Sequence, residues 1–319
     1  MKLSANISMI VALILGLGGT AAVVAKVIST NSVPATINRN NRLAQNNPLR
    51  IAFPTRAGKA DLQKDANAVA AFISQEIGRP VEAVVADETA AVEALRANKV
   101  DVAFLSSRPA IKAQQLANAQ LYLAEVRSNY SGGHTYKSIF VVPSDSPLKS
   151  GTSKSTLEQL KGKRIAFTSP TSGSGFIFPV STLVNNGLVP NRDRLTGFFG
   201  QVAYGGDYSK ALQAVLRSQA DVAAVSEYAL AEPYITTAES KKLRILYSTS
   251  GVPAHGVAID DSVAPADRNK LVNAMLLLNQ PKNNKLLQNL YNSTKLVKVN
   301  GDSHLQPMRE AMKKAGFDS

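Results

Sequence analysis

From Leu49 onward, short runs rich in β-branched residues alternate with longer stretches of helical periodicity, a rhythm that confines the chain to α/β layers around mainly parallel sheets. Leu49 to Phe53 reads as a first strand. Asp61 to Ile77 then places Leu62, Ala66, Val69, Ala70 and Ile73 at helical spacing and stops at Gly78. A strand at Val81 to Val85, a helix at Thr89 to Asn98 and a strand at Val100 to Leu105 repeat the β-α-β unit, and a helix from Pro109 and strands at Gln120 to Val126 and Ser138 to Val142 follow. Pro143 to Ser153 breaks the pattern, after which it restarts with a strand at Arg164 to Phe167 and helices at Phe178 to Asn186, Ser209 to Ser218 and Glu227 to Ile235. The stretch after 250 is too short for its own sheet. It is expected to pack on the first lobe, which gives lobe 1 as 48–145 plus 250–319 and lobe 2 as 146–249, with a hinge and a cleft between them.

The N-terminus is of another kind. Lys2 precedes an apolar run from Ile7 to Ala25, and Lys26 follows it. This is the pattern of an export signal, at a length between a cleaved signal and a membrane-spanning anchor. Residues 1–26 are therefore expected to be a signal peptide or anchor, and the Asn-, Ser- and Arg-rich stretch 27–47 a flexible linker. Residues 1–50 hold five basic side chains and no acidic one, so they carry +5 of the formal +13 and leave +8 on the folded part. That excess suits small anions or an anionic membrane surface. The basic residues are scattered without aromatic interleaving, which argues against nucleic acid as a partner. Cysteine is absent, and His134, His255 and His304 stand more than 40 residues apart. Disulfides, thiolate chemistry and a helix-borne zinc motif are thereby excluded, and neither a metal nor a cofactor is expected.

In open α/β sheets, ligands bind beyond the carboxyl ends of the strands, so the loops there carry the candidate residues. Arg56 follows the first strand, and Ser107 and Arg108 follow the third. A guanidinium can offer two parallel donors to an oxyanion. The segment Thr168-Ser169-Pro170-Thr171-Ser172-Gly173-Ser174-Gly175 joins a strand to a helix. Its hydroxyls and small residues let backbone N–H groups approach an anion at a positive helix end, although Ser and Gly also make ordinary capped turns. Asp207 and Tyr208 end another strand, with helix capping as the plain alternative for Asp207, and Glu227 ends a further one. His255 stands at the return crossover. No base is placed to activate either serine, so no enzymatic step is expected.

The stretch from Leu160 to Phe167, followed by Pro170-Thr171-Ser172-Gly173-Ser174-Gly175-Phe176 and Pro179, resembles the phosphate/phosphite/phosphonate-binding family of ABC transporter solute-binding proteins. Lys99 to Phe104 and Ala220 to Val225 are similar to that family's paired x-V-D-V-A strands, and the likeness runs from about Leu49 to Ser250. The resemblance implies a two-lobed, type II periplasmic-binding-protein-like α/β fold. It also implies phosphorus-oxyanion binding in the periplasm, a membrane permease as partner and a monomeric carrier. It assigns Ser172 and Ser174 to the anion's oxygens, with Thr171 and Gly173 between and beside them, and aligns Tyr136, Glu227 and His255 with site residues, the last in place of an acidic one. Gly173 stands where relatives have threonine, and Asp207 where they have histidine. A membrane-tethered sensor, a carrier of a different small solute and an exported enzyme are the alternatives.

Overall fold

The computed structural model describes residues 47–55 and 61–317. The expected export segment, the linker up to Asn46 and Arg56 lie outside the described residues. Among the described residues no helix is long and apolar enough to cross a membrane.

Two mixed sheets organise the chain. The first contains β1 (Leu49–Pro54), β2 (Val81–Ala86), β3 (Val102–Leu105), β4 (Gln120–Val126), β10 (Gly256–Ile259) and β11 (Lys295–Lys298), in the order β11-β4-β10-β3-β1-β2. The second contains β5 (Thr135–Pro143), β6 (Arg164–Phe167), β7 (Gln201–Tyr204), β8 (Val222–Ser226) and β9 (Leu243–Pro253), in the order β7-β6-β8-β5-β9. Helices α1 (Leu62–Ile77), α2 (Glu88–Arg96) and α3 (Ser107–Ala117) belong to the first half. Helices α4 (Lys154–Glu158), α5 (Phe178–Asn185), α6 (Tyr208–Leu216) and α7 (Thr237–Ser240) accompany the second sheet, and α8 (Pro265–Leu277), α9 (Asn284–Tyr291) and α10 (Gly301–Ala315) close the chain.

Each sheet holds one parallel trio, β2-β1-β3 and β7-β6-β8, with the earliest strand in the middle. The paired x-V-D-V-A segments acquire a physical meaning here. Asp101, just ahead of β3, accepts from the Arg50 backbone N–H at 2.8 Å and returns its own N–H to the Arg50 carbonyl at 2.9 Å. Asp221, ahead of β8, does the same with Arg164, at 2.9 Å in both directions. One carboxylate thus satisfies the start of the central strand in each sheet and fixes its register against the third.

Several expectations need correction. The sheets are mixed rather than mainly parallel, because strands that cross between them, β4 to β5 and β9 to β10, enter reversed and pair antiparallel. The boundary drawn at 145/146 falls too late: β5 pairs with β8 and β9, so the chain changes sheets between Val126 and Thr135 and returns between Pro253 and Gly256. The helix expected at Glu227 to Ile235 is a short 3-10 turn, Glu227–Leu230, since Pro233 has no N–H with which to continue a helix. β11 was not foreseen in a four-residue segment with a lysine at either end.

The tail does not rest on the first lobe alone. Leu305, Met308, Ala311 and Met312 of α10 share one buried cluster with Leu105 and Ile111 from the first half and Ile177, Phe178 and Val180 from the second. His304 anchors the same helix to the return crossover, its Nε2 lying 3.0 Å from the Ala254 carbonyl. Two further clusters, one around Phe53, Ile73 and Met275 and one around Val141, Leu212 and Val225, fill the outer layers of the two sheets.

Candidate functional site

Strands and helices alternate in both trios, so the helices that follow the strands start where those strands end. Four such starts meet at one cavity of about 390 Å³. It is lined by Thr89 from the first turn of α2, by Ser107, Arg108 and Pro109 from that of α3, by Ser172 and Gly173 ahead of α5, and by Asp207 and Tyr208 at the start of α6. Helix starts carry unsatisfied N–H groups and a partial positive charge, so their convergence favours an anion.

The signature loop is built locally. Ser172 caps a five-residue π-helical turn, Gly173–Ile177, by accepting from the Gly175 N–H at 3.1 Å. A side chain at Gly173 would put a carbon 2.7 Å from Met308 Cε, the far end of a flexible side chain that would have to shift, and at an ordinary contact distance of 3.9 Å from Ser107 Oγ. Ser174 is fully buried behind the lining; its Oγ lies 2.7 Å from the Tyr208 hydroxyl and its carbonyl accepts from Ser138 Oγ at 2.7 Å.

Asp207 is the N-cap of α6. Its Oδ1 accepts from the Lys210 N–H at 2.8 Å and its Oδ2 pairs with Lys210 Nζ at 3.2 Å. The carboxylate that replaces a histidine is therefore already spent on its own helix, although the residue still borders the cavity. Glu227 turns away: its Oε1 accepts from the N–H and Oγ of Ser131, at 3.0 and 2.9 Å, and from the Lys137 N–H at 3.0 Å, and it is not among the lining residues. Of the twelve candidates, nine line the cavity: Ser107, Arg108, Tyr136, Thr171, Ser172, Gly173, Asp207, Tyr208 and His255. Ser174 lies behind the lining, Glu227 points elsewhere, and Arg56 is outside the described residues.

Sequence reasoning missed Arg127. It directly follows β4, where the same strand-end rule that selected Arg108 applies. Arg127 is 7% exposed and lines the cavity. Its guanidinium lies 2.9 Å from Glu125 Oε1 and faces the rings of Tyr130 and Tyr228, with centroids 5.5 and 5.4 Å away. Burial is the largest influence and works against its charge, but the Glu125 carboxylate and the surrounding Tyr130, Tyr228 and Tyr234 together outweigh it, so the group is held charged above its ordinary range. Glu125 also accepts from the hydroxyls of Tyr130, at 2.8 Å, and Ser293, at 2.7 Å, and its Oε1 stands 3.0 Å from His255 Nδ1. At Arg108, burial and the neighbouring Arg192 lower the pKa.

Tyr136, Tyr208, Tyr228 and Tyr234 form an aromatic wall, with successive ring centroids 5.2 to 5.8 Å apart. Burial raises the phenols of Tyr136 and Tyr228 well above the usual tyrosine value, with neighbouring Tyr208 adding to it, and burial and Glu125 do the same to Tyr130. Among the described residues no group of three or more His, Asp or Glu is placed to hold a metal ion.

The sequence profile of the family described as ABC transporter, phosphonate, periplasmic substrate-binding protein matches residues 51–305. The chain belongs to this family. The phosphonates-binding periplasmic protein of Escherichia coli is 26% identical over 205 residues, which is 62% of this chain and 56% of that protein, so the match spans little more than half of that relative. The phosphate-import protein PhnD of Mycolicibacterium smegmatis is 24% identical over 228 residues, 70% of this chain and 69% of that one. Among solved structures, PhnD1 from Prochlorococcus marinus in complex with methylphosphonate superposes with a TM-score of 0.66 at 20% identity, covering 85% of this chain and 98% of that one. That likeness establishes the two-lobed fold of the phosphonate-binding family for this chain.

Two outcomes follow for this family member. Asp207→Ala removes the α6 cap and lowers stability by about 1 kcal/mol in urea unfolding, whereas Asp207→Asn, which still caps, stays close to the parent; equal losses would show that the cap is not the cause. The buried phenols set the alkaline limit. Their folded-state pKa values lie above the unfolded value of 10.0. Their contribution is whole below about pH 10 and is lost as pH climbs from there towards the raised folded values, because only the unfolded chain releases these protons. Ultraviolet titration should show some of the nine tyrosines ionising only as the fold is lost. A titration in which all of them ionise together near pH 10 in the folded protein would contradict the burial.

Proposed function

We propose that the chain is the solute-binding component of an ABC importer, and that its cleft takes a small phosphorus oxyanion, phosphate, phosphite or a phosphonate, without chemical change. The observation that carries this reading is the convergence on one cavity of four helix starts and two arginines, Arg108 and Arg127, whose buried Nε groups have no hydrogen-bond partner. A buried donor left unsatisfied costs about 1–3 kcal/mol, so an anion that accepts from it recovers that cost on binding. The names of the relatives support the same class: one is called a phosphonates-binding protein and another a phosphate-import protein.

On this reading, Ser172, Thr171 and the amides of Gly173, Ser107 and Arg108 surround the anion, and Tyr136 and Tyr208 close over it from the second sheet. Ser174 acts by holding the Tyr208 hydroxyl in place rather than by touching the ligand. Lobe movement occurs about the two crossovers, 127–134 and 254–255, with α10 packed against both halves. The protein works in the periplasm as a monomer and hands its ligand to a membrane permease. Ser172 and Ser174 bond to a backbone N–H and a phenol, not to a general base, which fits carriage rather than catalysis.

A ligand that binds only the folded state raises the melting temperature, by about 2.7 kcal/mol of added stability at a hundred times its dissociation constant. The purified protein is expected to shift upward with at least one of phosphate, phosphite and methylphosphonate, and not with sulfate, bicarbonate or small carboxylates at equal ionic strength. Silence from all three phosphorus compounds would refute the reading.

A further inference from the structure

The carboxylates in and around the cleft share one property. Glu88 accepts from the N–H and Oγ of Ser106, at 2.6 and 2.8 Å, and so pins the start of α3. Asp207 caps α6 and pairs with Lys210, and Glu227 accepts three donors from Ser131 and Lys137. Glu125, outside the lining, is paired with Arg127 and bonded by Tyr130 and Ser293. Each of these acids accepts from the protein's own donors, while among the described residues the buried guanidinium Nε atoms of Arg108 and Arg127, two residues that line the cleft, have no acceptor. Donors in excess and acceptors already engaged describe a site for a ligand that brings oxygens and no N–H groups.

We infer that Arg127 is the specificity-determining residue at the floor of the cleft, where its Nε–H donates to an oxygen of the bound anion, and that the site selects oxyanions without an ammonium group over aminoalkyl analogues. This rests on the proposed function and narrows it to a ligand class: phosphate, phosphite and plain alkylphosphonates. The physical reason has two parts. An ammonium entering beside Arg127 meets a like charge that Glu125 holds in place, and the carboxylates that border the cavity, Glu88 and Asp207, already accept from Ser106 and from Lys210. The guanidinium has little freedom to yield, since it faces the rings of Tyr130 and Tyr228 and is tied to Glu125 in a buried pair. The apolar edges of the tyrosine wall remain available to a methyl substituent.

The test is calorimetric titration of the purified protein with phosphate, methylphosphonate and 2-aminoethylphosphonate, repeated on Arg127→Lys, Arg127→Gln and the double variant Glu125→Gln with Arg127→Gln. The parent is expected to bind the better of the two amine-free anions at least about tenfold more tightly than 2-aminoethylphosphonate, because like-charge juxtaposition and unpaired donors both penalise the amine. Arg127→Lys keeps the charge without the planar donor and should lose affinity while keeping the preference; Arg127→Gln should lose both. Removing one member of a buried pair risks the fold, and the double variant removes the pair together, so its loss of affinity and preference gives the same reading. If these variants fail to fold, the parent's own ratio decides. Equal or tighter binding of 2-aminoethylphosphonate, or a folded double variant with unchanged affinity and ratio, overturns the inference and leaves the proposed function standing. Absence of heat with every phosphorus compound in the parent protein would instead remove the proposed function, and this inference with it.

Discussion

An anion leaving water must find its donors already in place, and in this chain that requirement falls on the points where strands hand over to helices. Two parallel trios, each with its first strand in the centre, end at the same cleft, and the helices that follow start there. The Asp101 and Asp221 carboxylates set this up from a distance: by bonding to Arg50 and Arg164 at the starts of β1 and β6 they fix the register of β3 and β8. The positions of Ser107, Arg108 and Tyr228 at the far ends of those strands follow from that register. A strand that slipped by one residue would present the opposite face at its end and point another side chain into the cavity.

Binding of this kind also requires that the halves approach without either losing its own core. Separate apolar clusters stabilise the outer layers of the two sheets, while a third cluster runs between them through α10. Gly173 meets Met308 and Ser107 at the point where the signature loop faces the first lobe. Phe317 adds a further link just past α10: the Arg192 guanidinium sits 4.0 Å from its ring centroid, Arg108 sits 5.8 Å away, and Phe176 packs edge-on at 6.2 Å. Residues from both halves thus share one ring near the arginine that lines the cleft.

Much of this was legible in the sequence because it obeys local rules. Periodicity located α1 and stopped it at Gly78, which takes a left-handed conformation at φ 67°, and the strand-end rule together with the family resemblance, which supplied Tyr136, brought nine of twelve candidates to one cavity. What escaped is non-local. Nothing in the sequence around Glu227 tells that Ser131 and Lys137, some ninety residues away, take up its carboxylate. The choice of sheet for β5 depends on pairing with β8 and β9, not on its own composition. β11 forms in a segment too short and too basic to signal a strand, because β4 offers it an open edge. Arg127 is legible by the rule already in use, and its pairing with Glu125, two residues earlier, becomes visible only once both are seen to be buried.

The central claim is that the N–H groups at converging helix starts, together with Arg108 and Arg127, hold a phosphorus oxyanion between the lobes. Amide hydrogen exchange, followed by mass spectrometry with and without saturating phosphate or methylphosphonate, tests it most directly. The account predicts slowed exchange concentrated in the segments carrying Thr89, Ser107 and Arg108, Arg127, Ser172 to Gly175, and Tyr208, with the outer helices α1 and α9 unchanged. Protection that falls elsewhere, or none under conditions in which binding is saturated, would contradict it.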